Sequence, residues 1–320
     1  MNEEADGDVR LERFLRRELA DDAFVLKRCP LACISKVYEA HGGDGRRYFV
    51  KWGFASAECS AEFLRRNAGH PLLPEDRLGR SLAFEGHPVT VSIWRDVTQV
   101  PIEQMSDAQY ASLATAKAEL SRLLNEPGMV AYMKEYAAQL HVESGVRGPA
   151  VRPGDCLETV KAFAAAHPLV RWALRPLLAI GDDSLRRDPA IPIQVNHGDF
   201  HAGNFGFDGE RVVAFFDFDN LALEYPIEDM VRLFSESVQD GAYRRHALLR
   251  RRLFDRFAKY VRSMDCAFPE WRFAINRLRL YYARNTLMRH FGQARVAFRV
   301  ARRDRRLRTL LDIAEQESRA

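Results

Sequence analysis

Val195-Asn-His-Gly-Asp-Phe-His-Ala-Gly-Asn-Phe205, followed by an Asp208-Gly209 turn and then by Val212-Val-Ala-Phe-Phe-Asp-Phe-Asp219, is the stretch that decides the reading of this chain. Apolar runs and polar breaks alternate there as strand, polar loop, strand, turn, strand, acidic loop. Moving a phosphoryl group to a hydroxyl needs a carboxylate to orient the nucleophile and accept its proton. It also needs hard oxygen ligands to hold Mg²⁺ on the phosphates. Asp199, Asn204 and Asp217 supply those residue types.

Their spacing sharpens the reading. Asp199 and Asn204 lie five apart, as in the kinase catalytic loop HRDxxxxN, and Asp217 lies thirteen further on, where a DFG-type aspartate falls. At these residues the chain resembles a family: His197-Gly-Asp-Phe-His-Ala-Gly-Asn204 is similar to the HGDxHxxN signature of the aminoglycoside phosphotransferase and choline kinase-like superfamily. The resemblance implies Asp199 as catalytic base, Asn204 and Asp217 as Mg²⁺ ligands, and His197 as a residue that packs or orients the loop. It implies an outer supporting place for Asp219, and it matches His201 to a family histidine without fixing its role. Pro226-Ile-Glu-Asp229 resembles the family's P-x-x-D element, which implies that Asp229 braces the catalytic loop. By motif the resemblance runs from Ser35 to about Asp229.

Working toward the N-terminus, Cys33 to Ala40 and Arg47 to Trp52 flank a Gly/Asp turn at 42–45, a hairpin pattern that puts Lys51 on its second strand. Phe49-Val-Lys51 resembles the strand lysine that pairs with the α- and β-phosphates. A helix expected from Ser56 to Ala68 carries two candidate partners for it, Glu62 by its distance and Glu58 one turn earlier. No GxGxxG precedes Lys51. Ser35, in the phosphate-covering position, is the expected phosphate donor, and Trp94 in the connector is a candidate to stack on adenine.

A second hairpin is expected over 81–94. Up to that point the pattern describes a β-rich lobe with one helix, residues 1–97, that binds nucleotide. From about position 105 helical periodicity takes over, with segments expected at 106–124, 129–141, 157–166, 169–180, 228–238, 243–261, 270–291 and 295–316. Residues 98–320 then form a helical catalytic and acceptor-binding lobe. The fold class is α+β, a bilobal protein-kinase-like fold.

The 48 Lys+Arg and 44 Asp+Glu leave a formal charge of +4, which decides little; the clustering of arginines after position 284 says more. It reads as a solvated or acid-paired helix face, with peripheral contact to an anionic surface as the functional alternative. No aromatic-plus-basic module points to nucleic acid. Five scattered cysteines without zinc spacing, no basic-then-apolar leader and no long apolar span lead to an expected cytoplasmic protein.

These readings lead to an ATP- and Mg²⁺-dependent phosphotransferase acting on a hydroxyl of a small molecule or sugar. The arginine-rich tail favours an anionic or lipid-linked sugar. Glu224, Glu228, Glu236 and Asp240, following the metal loop as candidates to face the cleft, leave a neutral sugar or amino-alcohol open. The reading from another class is a pseudokinase, a nucleotide-binding or protein-binding module without turnover.

Overall fold

A computed structural model describes residues 3–29, 36–52, 57–75, 77, 82–143, 153–185, 188, 190–239 and 246–319. In chain order, the first half runs α1 (Glu3–Leu19), β1 (Val25–Arg28), β2 (Lys36–His41), β3 (Arg47–Trp52), α2 (Ala57–Arg66), β4 (Leu82–Phe84), β5 (His87–Ile93), α3 (Asp107–Leu124) and α4 (Pro127–Glu143). There follow α5 (Pro153–Ala166), α6 (Arg171–Leu178), β6 (Gln194–Asn196), β7 (Phe205–Asp208), β8 (Arg211–Phe215) and β9 (Ala222–Glu224). The chain closes with α7 (Glu228–Gln239), α8 (Ala247–Ser263), α9 (Phe268–Arg289) and α10 (Val296–Glu317). Among the described residues, no helix is long and apolar enough to cross a membrane.

Contacts divide the chain into two units, one of residues 1–99, 107–130 and 203–221, the other of 100–106, 131–202 and 222–320. In the first unit, five antiparallel strands pair in the order β1-β2-β3-β5-β4. Strand alternation sorts β3 into two faces: Tyr48, Val50 and Trp52 are buried, while Phe49 and Lys51 point to the other side. The buried face packs with Tyr38, Val89 and Val91 against Leu11 and Leu15 of α1.

The sequence reading expected one helix in this region, so α1 is a correction. Its first residues read as polar, but Leu11, Phe14, Leu15 and Leu19 recur at helical spacing and cover the sheet. Polar contacts fix its register: Asp8 accepts from the Tyr38 hydroxyl at 2.7 Å and Glu12 from the Leu26 amide at 2.8 Å.

The second unit is helical. Its core joins α5, α6, α9 and α10 through residues such as Phe163, Leu174, Leu280 and Val300, and an aromatic stack links Phe234 of α7, Phe257 of α8 and Trp271 of α9 at 5.0 and 5.8 Å. The arginine-rich tail is partly internal. Arg279 and Asp304 form a buried pair at 2.6 Å, and Arg303 donates to the Thr286 hydroxyl at 3.1 Å.

Candidate active site

The ribbon β7–β8 explains how two of the expected metal ligands come together. Its register sets Phe205 opposite Phe215, so Asn204, just before β7, and Asp217, just after β8, fall at the same end. The Phe216 amide donates to the Asn204 carbonyl at 2.8 Å and holds that end closed. Gly206 lets the connector lie against the ribbon, because a Cβ there would stand 2.3 Å from Val97 Cγ2. Thr98 then exchanges both backbone bonds with Phe207, each 2.9 Å, and Gln99 Nε2 donates to the Gly203 carbonyl at 2.6 Å.

Asp217 has a left-handed backbone, φ 58°, ψ 64°, sparsely populated by non-glycine residues and a mark of a constrained loop. Its carboxylate accepts from Lys51 Nζ at 2.8 Å, and Asp219, two residues on, pairs with the same ammonium. Burial by itself would lower the Lys51 pKa; the two carboxylates outweigh it and raise it, so the lysine is a fixed cation. Phe63 of α2 packs on Phe218 between these aspartates, ring centres 4.8 Å apart.

Lys51, Asn204, Asp217 and Asp219 line one side of a cavity of about 480 Å³, within the range of small-ligand sites. Val37, Phe49, Leu64, Ile93 and Phe216 supply apolar wall. Trp94 also lines it; its indole N–H donates to Asp96 at 3.1 Å, and Arg47 lies over its ring at 4.6 Å. Glu62 is engaged elsewhere, by Arg65 at 2.8 Å and Arg66 at 2.6 Å on its own helix, while Glu58 is exposed. The helix therefore reaches the acidic loop through the Phe63–Phe218 contact. Ser35 lies outside the described residues.

The donor set suits magnesium. Among the described residues no group of three or more His, Cys, Asp or Glu is arranged as a protein-only metal cage. Asn204 and Asp217 offer an amide and a carboxylate oxygen, hard donors of the kind a divalent cation such as Mg²⁺ takes from protein when phosphates and water complete its shell.

Asp199 belongs to the second unit, on the loop after β6. Asp229, fully buried, accepts from the amides of His197 at 2.9 Å and Gly198 at 3.0 Å. Gly198 turns with φ +76°, which a side chain would oppose. Asn196 donates to the Tyr225 carbonyl at 2.7 Å, tying β6 to the turn before α7. Three basic groups surround the Asp199 carboxylate. Burial alone would raise its pKa, but His201 at 3.6 Å and Arg232 at 3.9 Å, with His197 nearby, hold it below the ordinary value of 3.8.

Arg232 escaped the sequence reading. The available signal was its place three residues after Asp229, on the same face of α7. The glutamates expected as candidates to face the cleft are a correction: Glu224 and Glu228 are buried and clamped by Arg277, Glu228 at 2.5 Å, and Glu236 accepts from the Tyr282 hydroxyl. Buried carboxylates require a paired cation, and Arg277 supplies it. Asp240 lies outside the described residues.

The chain matches the model of the APH phosphotransferase enzyme family over residues 6–267. Amicoumacin kinase hAmiN, solved with AMP-PNP, Ca²⁺ and Ami, is similar in fold: TM-score 0.60 at 13% identity, covering 99% of this chain and 96% of that one. Aminoglycoside phosphotransferase APH(4)-Ia gives TM-score 0.55 at 17% identity, over 95% and 98% of the two chains. A putative aminoglycoside phosphotransferase from Ralstonia eutropha JMP134 gives 0.52 at 12% identity over 97% of each. No curated protein matches the chain. The five-stranded sheet followed by a mostly helical remainder is thus the α+β kinase-like fold that the family resemblance implied, and the chain belongs to the phosphotransferase enzyme family, a kinase-type transferase acting on hydroxyl groups.

Proposed function

We propose that this protein transfers the γ-phosphate of ATP to a hydroxyl of a small molecule or sugar. The observation that carries the reading is the meeting of Lys51 with Asp217 and Asp219 beside Asn204, in the wall of one cavity. In this reading residues 1–97 bind the nucleotide and 98–320 carry the catalytic and acceptor-binding groups. The apolar wall takes the adenine, with Trp94 stacked on it, and Lys51 neutralises the α- and β-phosphates. Ser35 completes the phosphate contacts.

Asn204 and Asp217 would hold Mg²⁺, whose charge would offset that of the nucleotide phosphates. Asp199 accepts the hydrogen bond of the acceptor hydroxyl, orients it for in-line attack and takes its proton as the new O–P bond forms. Its lowered pKa keeps it an acceptor across neutral pH. Asp229 fixes the backbone from which it projects.

The acceptor is neutral or anionic, such as a phosphorylated or lipid-linked sugar. Supporting this, Glu224 and Glu228 are buried and paired with Arg277 and are not offered to a polycation. A coupled ADP-release assay with Mg²⁺ and ATP tests it, using sugar phosphates and neutral sugars beside hygromycin B and kanamycin. Acceptor-dependent release that Asp199→Ala abolishes, with nucleotide affinity retained, is the expected result. Saturable ATP binding without turnover on any acceptor would replace the enzyme by a pseudokinase. Turnover confined to the aminoglycosides would overturn the acceptor class alone.

A further inference from the structure

Between Glu270 and Asp304 the chain has nine arginines and no Asp or Glu, and residues 159–181 also lack both. Helix α6, from the second of these stretches, packs in the second unit against the first two turns of α10, from the other, through Ala173, Leu174, Ala297 and Val300. Their inward faces are accounted for by this core. Their outward faces carry more than the polar residues that water favours. Trp172 is 59% exposed and meets Phe298, 45% exposed, edge to face at 5.7 Å, and Leu169 in the turn before α6 is 89% exposed.

Arginines frame these side chains. Arg171 and Arg175 share α6 with Trp172, and Arg295, Arg299 and Arg302 fall at −3, +1 and +4 from Phe298; all five are exposed. Arg171, Arg175, Arg299 and Arg302 have no carboxylate partner among the described residues, and Arg295 bonds the neutral Gln293 at 3.4 Å. An apolar centre ringed by uncompensated guanidinium groups is the composition of a peripheral membrane contact.

We propose that this face docks on an anionic lipid surface, with Leu169, Trp172 and Phe298 entering the headgroup boundary and the arginines binding lipid phosphates. Charge selects among occupants. A second copy meeting the same face would set five arginines against five, and like charges oppose that association. Nucleic acid offers phosphates and bases to stack, but no apolar phase for an aliphatic side chain such as Leu169. The inference stands apart from the catalytic reading, because docking needs neither nucleotide nor acceptor.

The test is co-sedimentation of the full chain with phosphatidylglycerol-containing vesicles, against pure phosphatidylcholine vesicles. Preference for the anionic vesicles by about tenfold or more, weakened by added salt, is expected. Trp172→Ser with Phe298→Ser, and separately Arg299→Glu with Arg302→Glu, should each abolish the preference while thermal melting stays unchanged. Equal partition between the two vesicles, or binding that survives both variants, overturns the proposal. So does a dimer that Trp172→Ser dissociates, or poly(U) binding lost in the same variants without vesicle binding. An inactive enzyme that still sediments would refute the kinase reading and leave this one standing.

Discussion

The guanidinium of Arg232 stands 3.9 Å from the Asp199 carboxylate, on a helix whose previous turn carries Asp229, the residue that holds the Asp199 loop by two backbone amides. One helix face therefore sets both the position and the charge environment of the expected base. Arg232 is itself a fixed cation: burial would lower its pKa, but Glu224, Tyr282 and Asp199 together raise it. Arg232→Gln removes one of the influences that depress Asp199. The acid limb of the kcat/KM profile, expected below pH 3.8, should then move to higher pH, and kcat should fall by about tenfold or more. Arg232→Lys should restore part of both, and an unchanged acid limb in Arg232→Gln would disconnect the pair.

Lys51 joins the two carboxylates of the acidic loop, so its loss acts twice. Lys51→Met removes the expected phosphate partner and leaves Asp217 and Asp219 facing each other. Calorimetric titration with Mg·ATP should give an affinity lower by about ten- to hundredfold, the worth of a charge-assisted hydrogen bond. Asp217→Ala should weaken Mg·ATP more than it weakens metal-free ATP. Equal losses for the two ligands would place Asp217 outside the metal site.

Gly206 is a packing requirement, at a position where its backbone carries no positive φ. An alanine Cβ would fall 2.3 Å from Val97 Cγ2 and 2.5 Å from Val97 Cβ, too close for side-chain rotation alone to relieve. Gly206→Ala should cost about 1–3 kcal/mol in urea unfolding, the usual price of overpacking, and should loosen nucleotide binding through the displaced Asn204.

Arg277 neutralises two glutamates whose side chains are 3% and 5% exposed. Arg277→Met strands both carboxylates in the interior, and a loss of about 3–5 kcal/mol in urea unfolding is expected. Replacing all three residues by apolar ones of similar volume should recover most of that. A single variant as stable as the parent would show that the clamp is dispensable.

The legible and illegible parts of this site differ by the kind of physics that sets them. The placement of Asp199, Asn204 and Asp217 on their loop and ribbon, and of Asp229 beneath that loop, was readable because it follows from short spacings along one chain segment, where a loop and a ribbon impose fixed geometry. The hairpin carrying Lys51 was readable for the same reason, since a turn and strand alternation settle which way it points. Helix α1 was not: its acidic first turns hide an apolar stripe that only the sheet beneath it makes necessary. The partner of Lys51 was also out of reach. A glutamate at the right distance in sequence turned to arginines on its own helix, whose i+3 and i+4 geometry is satisfied locally.

By itself the sequence determined the strand that bears Lys51, the loop that bears Asp199 and the ribbon whose ends bear Asn204 and Asp217, because hydrophobic period and turn chemistry act over a few residues. Tertiary structure alone decided which charges meet: Lys51 with Asp217 across 166 residues, Arg232 with Asp199, Arg277 with Glu224 and Glu228. Ion pairs in the interior are chosen by which side chains lose water at the same place, and that is a property of packing, not of spacing along the chain.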